Sequence, residues 1–477
     1  MVCGTTSGAG KSLLTTALAR YYARQGLKVA PFKAQNMSNN ARVVAEGEMG
    51  SAQYLQALAA RRIPEVRMNP VLLKPESGTH SQVVVLGGRD DRLSGLPWRQ
   101  RSKELWPTVS RCLAELLEEN DLVVIEGAGS PAEINLQATD IVNLRIAEIA
   151  GAATLLVCDI DRGGAFAHLY GTYLLVPQEQ RCLIRGFVLN KFRGDAALLA
   201  PAPERLKALT GVSVLGVLPM WREHGLPEED AVFDERPTGA GLAVSIVAYP
   251  RISNLDEFAP LRRIPGLAVS WARSPATLAA SELLILPGSK HVAHDLAWLK
   301  SEGLDAAIRT HIASGKPLLA VCGGLQMLGR ELRDPHGVEG AGEGLGVLAL
   351  STEYEATKSC RRGSYSFGEV SGFWKGLSAV RFEGYEIRHG RTEPVVDGQA
   401  SAPWPVLAGG LGWQQGELLA LYAHGLFENA AVLKALFGAE APTLEDTFEG
   451  LADFAEKHLG VETLNSLMQP LSSTSPS

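Results

Sequence analysis

The sequence predicts two α/β units, each built on a parallel sheet with helices packed against it. Three observations carry this. At 477 residues the chain exceeds what a single hydrophobic core usually serves, so two or three domains are expected. Short β-branched or Leu-rich runs alternate with helical patterns, as buried parallel strands do. The alternation breaks over residues 226–241, a polar stretch punctuated by Pro and Gly of the kind that joins domains.

In the first unit, residues 1–225, strands are predicted at 28–32, 122–125, 154–158, 186–189 and 212–218, and a helix at 13–22. The second unit, residues 242–471, starts a new series. Its strands fall at 242–248, 267–271, 283–286 and 318–321, with a helix at 304–314 between the last two. Residues 472–477 read as a frayed Ser-rich tail.

Composition excludes several classes of function. With 46% hydrophobic and 20% charged residues, the chain can bury a normal core. Lys and Arg number 45 against 52 Asp and Glu, and the net charge of −7 disfavours nucleic acid as a partner. Apolar runs end well short of the ~18 residues needed to span a bilayer, so no membrane partner is expected. Lys11 and a glycine loop occupy the place of a signal peptide's apolar stretch, so export is not expected either. Six cysteines without a CxxC pair fit the reducing cytoplasm, with neither disulfide nor structural zinc.

Gly4-Thr5-Thr6-Ser7-Gly8-Ala9-Gly10-Lys11-Ser12, entering the helix at 13–22, has the parts of a P-loop. Backbone N–H groups around Thr6, Gly8 and Gly10 can cradle phosphate, Lys11 neutralises the β/γ charge, and the Ser12 hydroxyl can ligate Mg²⁺. Five residues rather than four separate Gly4 from Gly10, the form of the dethiobiotin synthetase-like and partitioning-ATPase branch. Only Met1, Val2 and Cys3 precede the loop, fewer than the ~5 residues of an ordinary strand, and a truncated chain start is therefore expected.

Glu126 ends the strand at 122–125 and enters Gly127-Ala128-Gly129, at the carboxyl edge where α/β proteins bind ligands. It is the expected second Mg²⁺ ligand, with Glu48 a further candidate. Lys33, Lys74, Asp161 and Arg162 are candidates for substrate or phosphate oxygens, as is Asp159. Asn190 follows the strand at 186–189 and is placed to hydrogen-bond a purine. Arg193 stands where a GTPase pattern would put Asp, which favours ATP.

In the second unit the strand at 318–321 delivers Cys322 into Gly323-Gly324, ahead of a helix expected at 325–332. Such an elbow exposes a nucleophile and lets N–H groups support a thiolate. His424, beyond an apolar strand-like run, is the expected base. Gly288, after the strand at 283–286, and Gly323 are the expected oxyanion donors. The remaining cysteines, Cys3, Cys112, Cys158, Cys182 and Cys360, read as buried structural thiols.

Together these features resemble the cobyric acid synthase family, a dethiobiotin synthetase-like ATPase joined to a class I (triad) glutamine amidotransferase. The resemblance runs from the P-loop to about Phe427. It rests on Met68-Asn69-Pro70-Val71-Leu72-Leu73-Lys74-Pro75, Glu126-Gly127-Ala128-Gly129-Ser130-Pro131, Asp159-Ile160-Asp161-Arg162-Gly163-Gly164, Asn190-Lys191-Phe192-Arg193-Gly194-Asp195, Pro287-Gly288-Ser289-Lys290 and Gly384-Tyr385-Glu386-Ile387. It implies ATP, Mg²⁺ and glutamine as reactants, and a cobalt corrinoid, adenosylcobyrinic acid a,c-diamide, whose b, d, e and g carboxylates become amides. Gln326 matches the family's Cys-Gly-Gly-x-Gln motif, which implies a role in holding glutamine.

Many class I glutaminases carry Glu two residues after the His, where this chain has Leu426; a Cys/His dyad is expected, with the third member unassigned. Cobyrinic acid a,c-diamide synthase, or another carboxylate amidoligase, is the alternative on the same frame. A partitioning-type ATPase switch is the alternative from another class, but it has no need of Cys322 and His424. A homodimer is left open.

Overall fold

The predicted strands form two separate sheets in a computed structural model that describes residues 1–76, 81–227, 239–395, 402–439 and 442–469. The linker at 226–241 lies largely outside the described residues, as does the tail at 472–477.

In the first domain four parallel strands run Val2–Gly4, Thr154–Asp159, Ile184–Phe192, Val214–Pro219 in spatial order. A parallel pair, Val29–Phe32 with Leu122–Ile125, continues the sheet through a bridge between Val2 and Glu126. The three-residue strand before the P-loop is thus paired on both sides, shorter than the strand length expected at that place. The loop then turns into the helix Lys11–Arg24 through Gly10, whose φ of 100° only glycine adopts readily. A smaller sheet, Gln35–Met37, Val71–Pro75, Ser81–Val85 and Gly88–Arg89, and the hairpin Ala41–Val44 with Gly47–Gly50 stand beside it.

In the second domain seven strands run Leu267–Ala272, Leu242–Val247, Leu283–Leu286, Leu318–Val321, Leu418–Leu421, Gly412–Gln415, Trp404–Leu407. The first five are parallel and the last two antiparallel. The elbow helix is Gly323–Leu328, shorter than expected, because residues 331–333 pair as a strand with Ser351, Thr352 and Glu353. A long antiparallel hairpin, Leu350–Ser366 with Arg381–Pro394, extends from this domain.

The helices Leu444–Leu459 and Val461–Leu467 differ from the expected boundary, since they pack on the first domain's core. Phe448, Leu451, Leu459 and Leu464 are buried with Leu14, Leu18 and Tyr22, each large side chain contributing roughly 1.5–3 kcal/mol. Arg20, fully buried, reaches Glu445 at 2.6 Å, and the Tyr22 hydroxyl donates to the Leu464 carbonyl at 2.7 Å. The chain therefore crosses to the second domain and returns.

Candidate active sites in two domains

At the ATP side the P-loop closes on itself. Lys11 Nζ donates to the carbonyls of Thr6 at 3.0 Å and Gly129 at 3.3 Å, so it lies between the two loops that would flank a phosphate. The Ser12 hydroxyl donates to Glu126 Oε1 at 2.8 Å, which brings together the two expected Mg²⁺ ligands. Lys33 Nζ donates to the same oxygen at 2.9 Å, and Gln56 Nε2 donates to Oε2 at 2.5 Å. Burial alone would raise the Glu126 carboxyl, but Lys33, Gln56 and Ser12 together hold it below its ordinary value. An ionised carboxylate beside a hydroxyl is a hard-oxygen donor set suited to Mg²⁺ held mainly through phosphates.

Other assignments change. Asn190 braces the loop: its Nδ2 donates to the Ala9 carbonyl at 2.9 Å, and a Cβ at Gly10 would lie 2.0 Å from that nitrogen. It is buried and engaged there rather than extended toward a base. Glu48 does not join Ser12 and Glu126. Its carboxylate is paired with Lys74 and with Lys358 at 2.6 Å, and Cys360 Sγ lies 3.4 Å away. Burial would raise it, yet the two lysines keep it well below the ordinary carboxylate range. Burial pushes Lys74 down to about 8 despite Glu48, so it is a buried interdomain group and not a surface cation. Asp161 pairs with the exposed Arg193, and Arg162 lies 3.6 Å from Asp159.

On the glutaminase side Cys322 has φ 50° and ψ −105°, the strained turn an elbow nucleophile adopts. A Cβ at Gly323 would lie 2.7 Å from the Ser289 nitrogen, and one at Gly288 would lie 3.0 Å from His424 Cε1. Both glycines therefore line the wall of the nucleophile's site. Gln326 is buried, donating to the Tyr422 hydroxyl at 3.2 Å and accepting from that of Tyr354 at 3.3 Å.

The third member is Glu257. His424 Nδ1 donates to its Oε1 at 2.8 Å, and the Gly425 N–H donates to its Oε2 at 2.8 Å, with both side chains buried. Glu257 thus stands where the third member of a Cys–His–Glu triad would, the place the expected dyad left unassigned. Burial would lower the imidazole, but the Glu257 carboxylate and the neighbouring Cys322 thiol raise it to about 10. A histidine held this way supports a thiolate–imidazolium pair. By contrast, burial pushes the thiols of Cys112 and Cys360 up to about 11 and that of Cys3 to about 12. Cys182 is exposed and Cys360 half-buried, where both were expected buried, and all six cysteines are free.

A Glu257→Gln variant is expected to lose roughly 10²-fold in kcat/KM for glutamine hydrolysis. Removing the anion lowers the His424 pKa, so the high-pH limb of the kcat/KM profile should move to lower pH. A limb that stays in place would count against the triad.

A narrow cavity of about 40 Å³ joins the two domains. Cys322, Gln326 and His424 line it from one domain, and Asn39 and Lys74 from the other.

A P-loop ATPase and a cysteine glutaminase in one chain, sharing a cavity, define a glutamine-dependent amidoligase. Residues 1–228 match a family profile described as "CobQ/CobB/MinD/ParA nucleotide binding domain", and 243–432 one described as "CobB/CobQ-like glutamine amidotransferase domain". Cobyric acid synthase of Variovorax paradoxus (strain S110) is 61% identical, covering 98% of each chain. That of Acidovorax sp. (strain JS42) is 60% identical over 98% of this chain and 97% of the relative. A solved glutamine amidotransferase is 21% identical, covering 44% of this chain and 98% of its own, with a TM-score of 0.31. The chain belongs to the cobyric acid synthase family. It is an enzyme of ATP- and glutamine-dependent amidation in cobalamin biosynthesis. Among the described residues no helix is long and apolar enough to cross a membrane.

Proposed function

We propose that the protein amidates the b, d, e and g carboxylates of adenosylcobyrinic acid a,c-diamide to give adenosylcobyric acid, working in the cytoplasm. The observation that carries this reading is the cavity shared by Cys322, His424 and the synthetase-domain residues Asn39 and Lys74. A carboxylate does not accept ammonia directly. Its oxygen therefore attacks the γ-phosphorus of ATP, ADP leaves, and an acyl phosphate forms. Lys11 stabilises the charge on the transferring phosphoryl group. Ser12 and Glu126 would hold Mg²⁺, which when bound neutralises phosphate charge.

In the other domain the Cys322 thiolate attacks the glutamine amide carbon, and His424 gives its proton to the departing ammonia. Glu257 orients the imidazole, and N–H groups at Gly288 and Gly323 support the oxyanion. Water then releases glutamate from the thioester. The ammonia passes along the shared cavity and displaces phosphate from the acyl phosphate.

The test is mass spectrometry of the corrinoid after incubation with ATP, Mg²⁺ and glutamine. Four added amides on the a,c-diamide are expected. Two added amides on cobyrinic acid, with the a,c-diamide unchanged, would assign the protein to a,c-diamide synthesis instead.

A further inference from the structure

The third member of the triad is held in place by the other domain. Glu257 follows Asn254, Leu255 and Asp256 in a one-sided 3-10 segment, Leu255–Arg263, that docks on the synthetase domain. The Ala41 N–H donates to Asn254 Oδ1 at 3.2 Å, and the Leu255 N–H donates to Asn40 Oδ1 at 3.1 Å. Arg42, on the hairpin strand Ala41–Val44, is buried although it is an arginine. Its guanidinium pairs with Asp256, the residue beside Glu257, and reaches Glu428 at 2.5 Å. It also lies 5.2 Å from the ring centre of Tyr385, whose ring stacks on His424 with centroids 5.3 Å apart.

The same carboxylate of Asp256 accepts from the Ser51 hydroxyl at 2.5 Å. Ser51 opens the helix Ser51–Ala59, which carries Gln56, the donor to Glu126 at the ATP site. This helix therefore contacts Glu126 through Gln56 and, through Ser51, the residue beside Glu257.

We infer that Arg42 is a positioning residue of the glutaminase, supplied by the synthetase domain, which sets Glu257 and His424 through Asp256 and Tyr385. The buried Arg42 has one carboxylate on each side, and its planar fork bridges two anions that a lysine cannot bridge together. Glu428, four residues past His424, is tied up by this fork and leaves the orienting role to Glu257. Ionisable groups around the imidazole are Cys322, Glu257 and Tyr385, with Arg42, Asp256 and Glu428 behind Tyr385. Glutamine hydrolysis is in this way tied to correct seating of the domain that uses its ammonia.

The inference rests on the proposed amidation, and its test separates the two. Wild-type enzyme is assayed with the a,c-diamide and either glutamine or an ammonium salt; amidation with both establishes the reaction. Arg42→Gln, Arg42→Lys and Asp256→Asn are then compared. For all three the kcat of glutamine hydrolysis should fall about tenfold or more, with KM for glutamine within about twofold, since Gln326 and its tyrosines are untouched. The high-pH limb of glutaminase kcat/KM should shift to lower pH as His424 loses Glu257. Ammonia-dependent amidation should stay within about twofold, which also reports that the fold is intact. Arg42→Gln and Asp256→Asn combined should be no worse than the poorer single variant. Equal losses with glutamine and ammonia, an unmoved pH limb, or full glutaminase rescue by Arg42→Lys would each overturn the inference.

Discussion

Replacing Cys322 with alanine is expected to remove glutamine-dependent amidation, by roughly 10⁴-fold or more, while amidation from an ammonium salt continues. The expectation follows from the separation of the two chemistries. Cys322 sits on the strand-to-helix elbow of the second domain, and the phosphate machinery lies on the P-loop of the first. Alanine also suits the site sterically. It removes only the sulfur from a side chain whose contacts are His424 and the Ile387 carbonyl at 3.7 Å, so little of the core is disturbed. Among the described residues Cys322 is the only cysteine that lines the cavity with His424 and Gln326, so no other thiol is placed to take over. The measurement is the rate of corrinoid amidation with each nitrogen source at saturating ATP. Unchanged use of glutamine would remove Cys322 from the mechanism; loss of both activities would show that the elbow supports the synthetase as well.

How far these sites could be read from the sequence depends on how local their chemistry is. The P-loop and the cysteine elbow are short because backbone geometry demands it: a phosphate needs consecutive N–H groups, and an exposed nucleophile needs a sharp turn. Both were legible, and so was the strand at 318–321 that feeds the elbow, whose continuous apolar run marks burial on two faces; the strand Val2–Gly4 that feeds the P-loop was not among the predicted ones. Glu257 was not legible. It lies far ahead of Cys322 in the chain, in Asn254-Leu255-Asp256-Glu257-Phe258, where either carboxylate is an equally good solvated residue by composition. The one usable signal was negative, the Leu426 at the place of the usual Glu, and it pointed to a dyad with the third member unassigned.

Glu48 failed for a related reason. A lone Glu in a glycine-flanked turn gives no sign of which distant lysines will meet it, and Lys358 reaches it from the long hairpin of the other domain. The two closing helices show the same limit in packing. Their apolar stripe, Phe448, Leu451, Ala452, Ala455 and Leu459, announces an amphipathic helix, but periodicity does not say which core it covers.

Lys11→Ala and Glu126→Gln are both expected to stop amidation with either nitrogen source, and the comparison between them tests the roles assigned to the ATP site. Lys11 donates to the loop carbonyls of Thr6 and Gly129, where it would meet the transferring phosphoryl group. Activity should fall by roughly 10²–10³-fold or more, read as the rate of corrinoid amidation. Glu126 is different, because Lys33, Ser12 and Gln56 all converge on its buried carboxylate. Glutamine keeps the shape but removes the anion that pairs with Lys33 at 2.9 Å, and breaking a buried ion pair from one side typically costs about 3–5 kcal/mol. Glu126→Gln should therefore lose activity and melt several degrees lower. Adding Lys33→Met to it should recover stability without recovering amidation. If the double variant regains amidation as well, the carboxylate serves only to neutralise Lys33 and the metal-ligand role assigned to Glu126 is wrong.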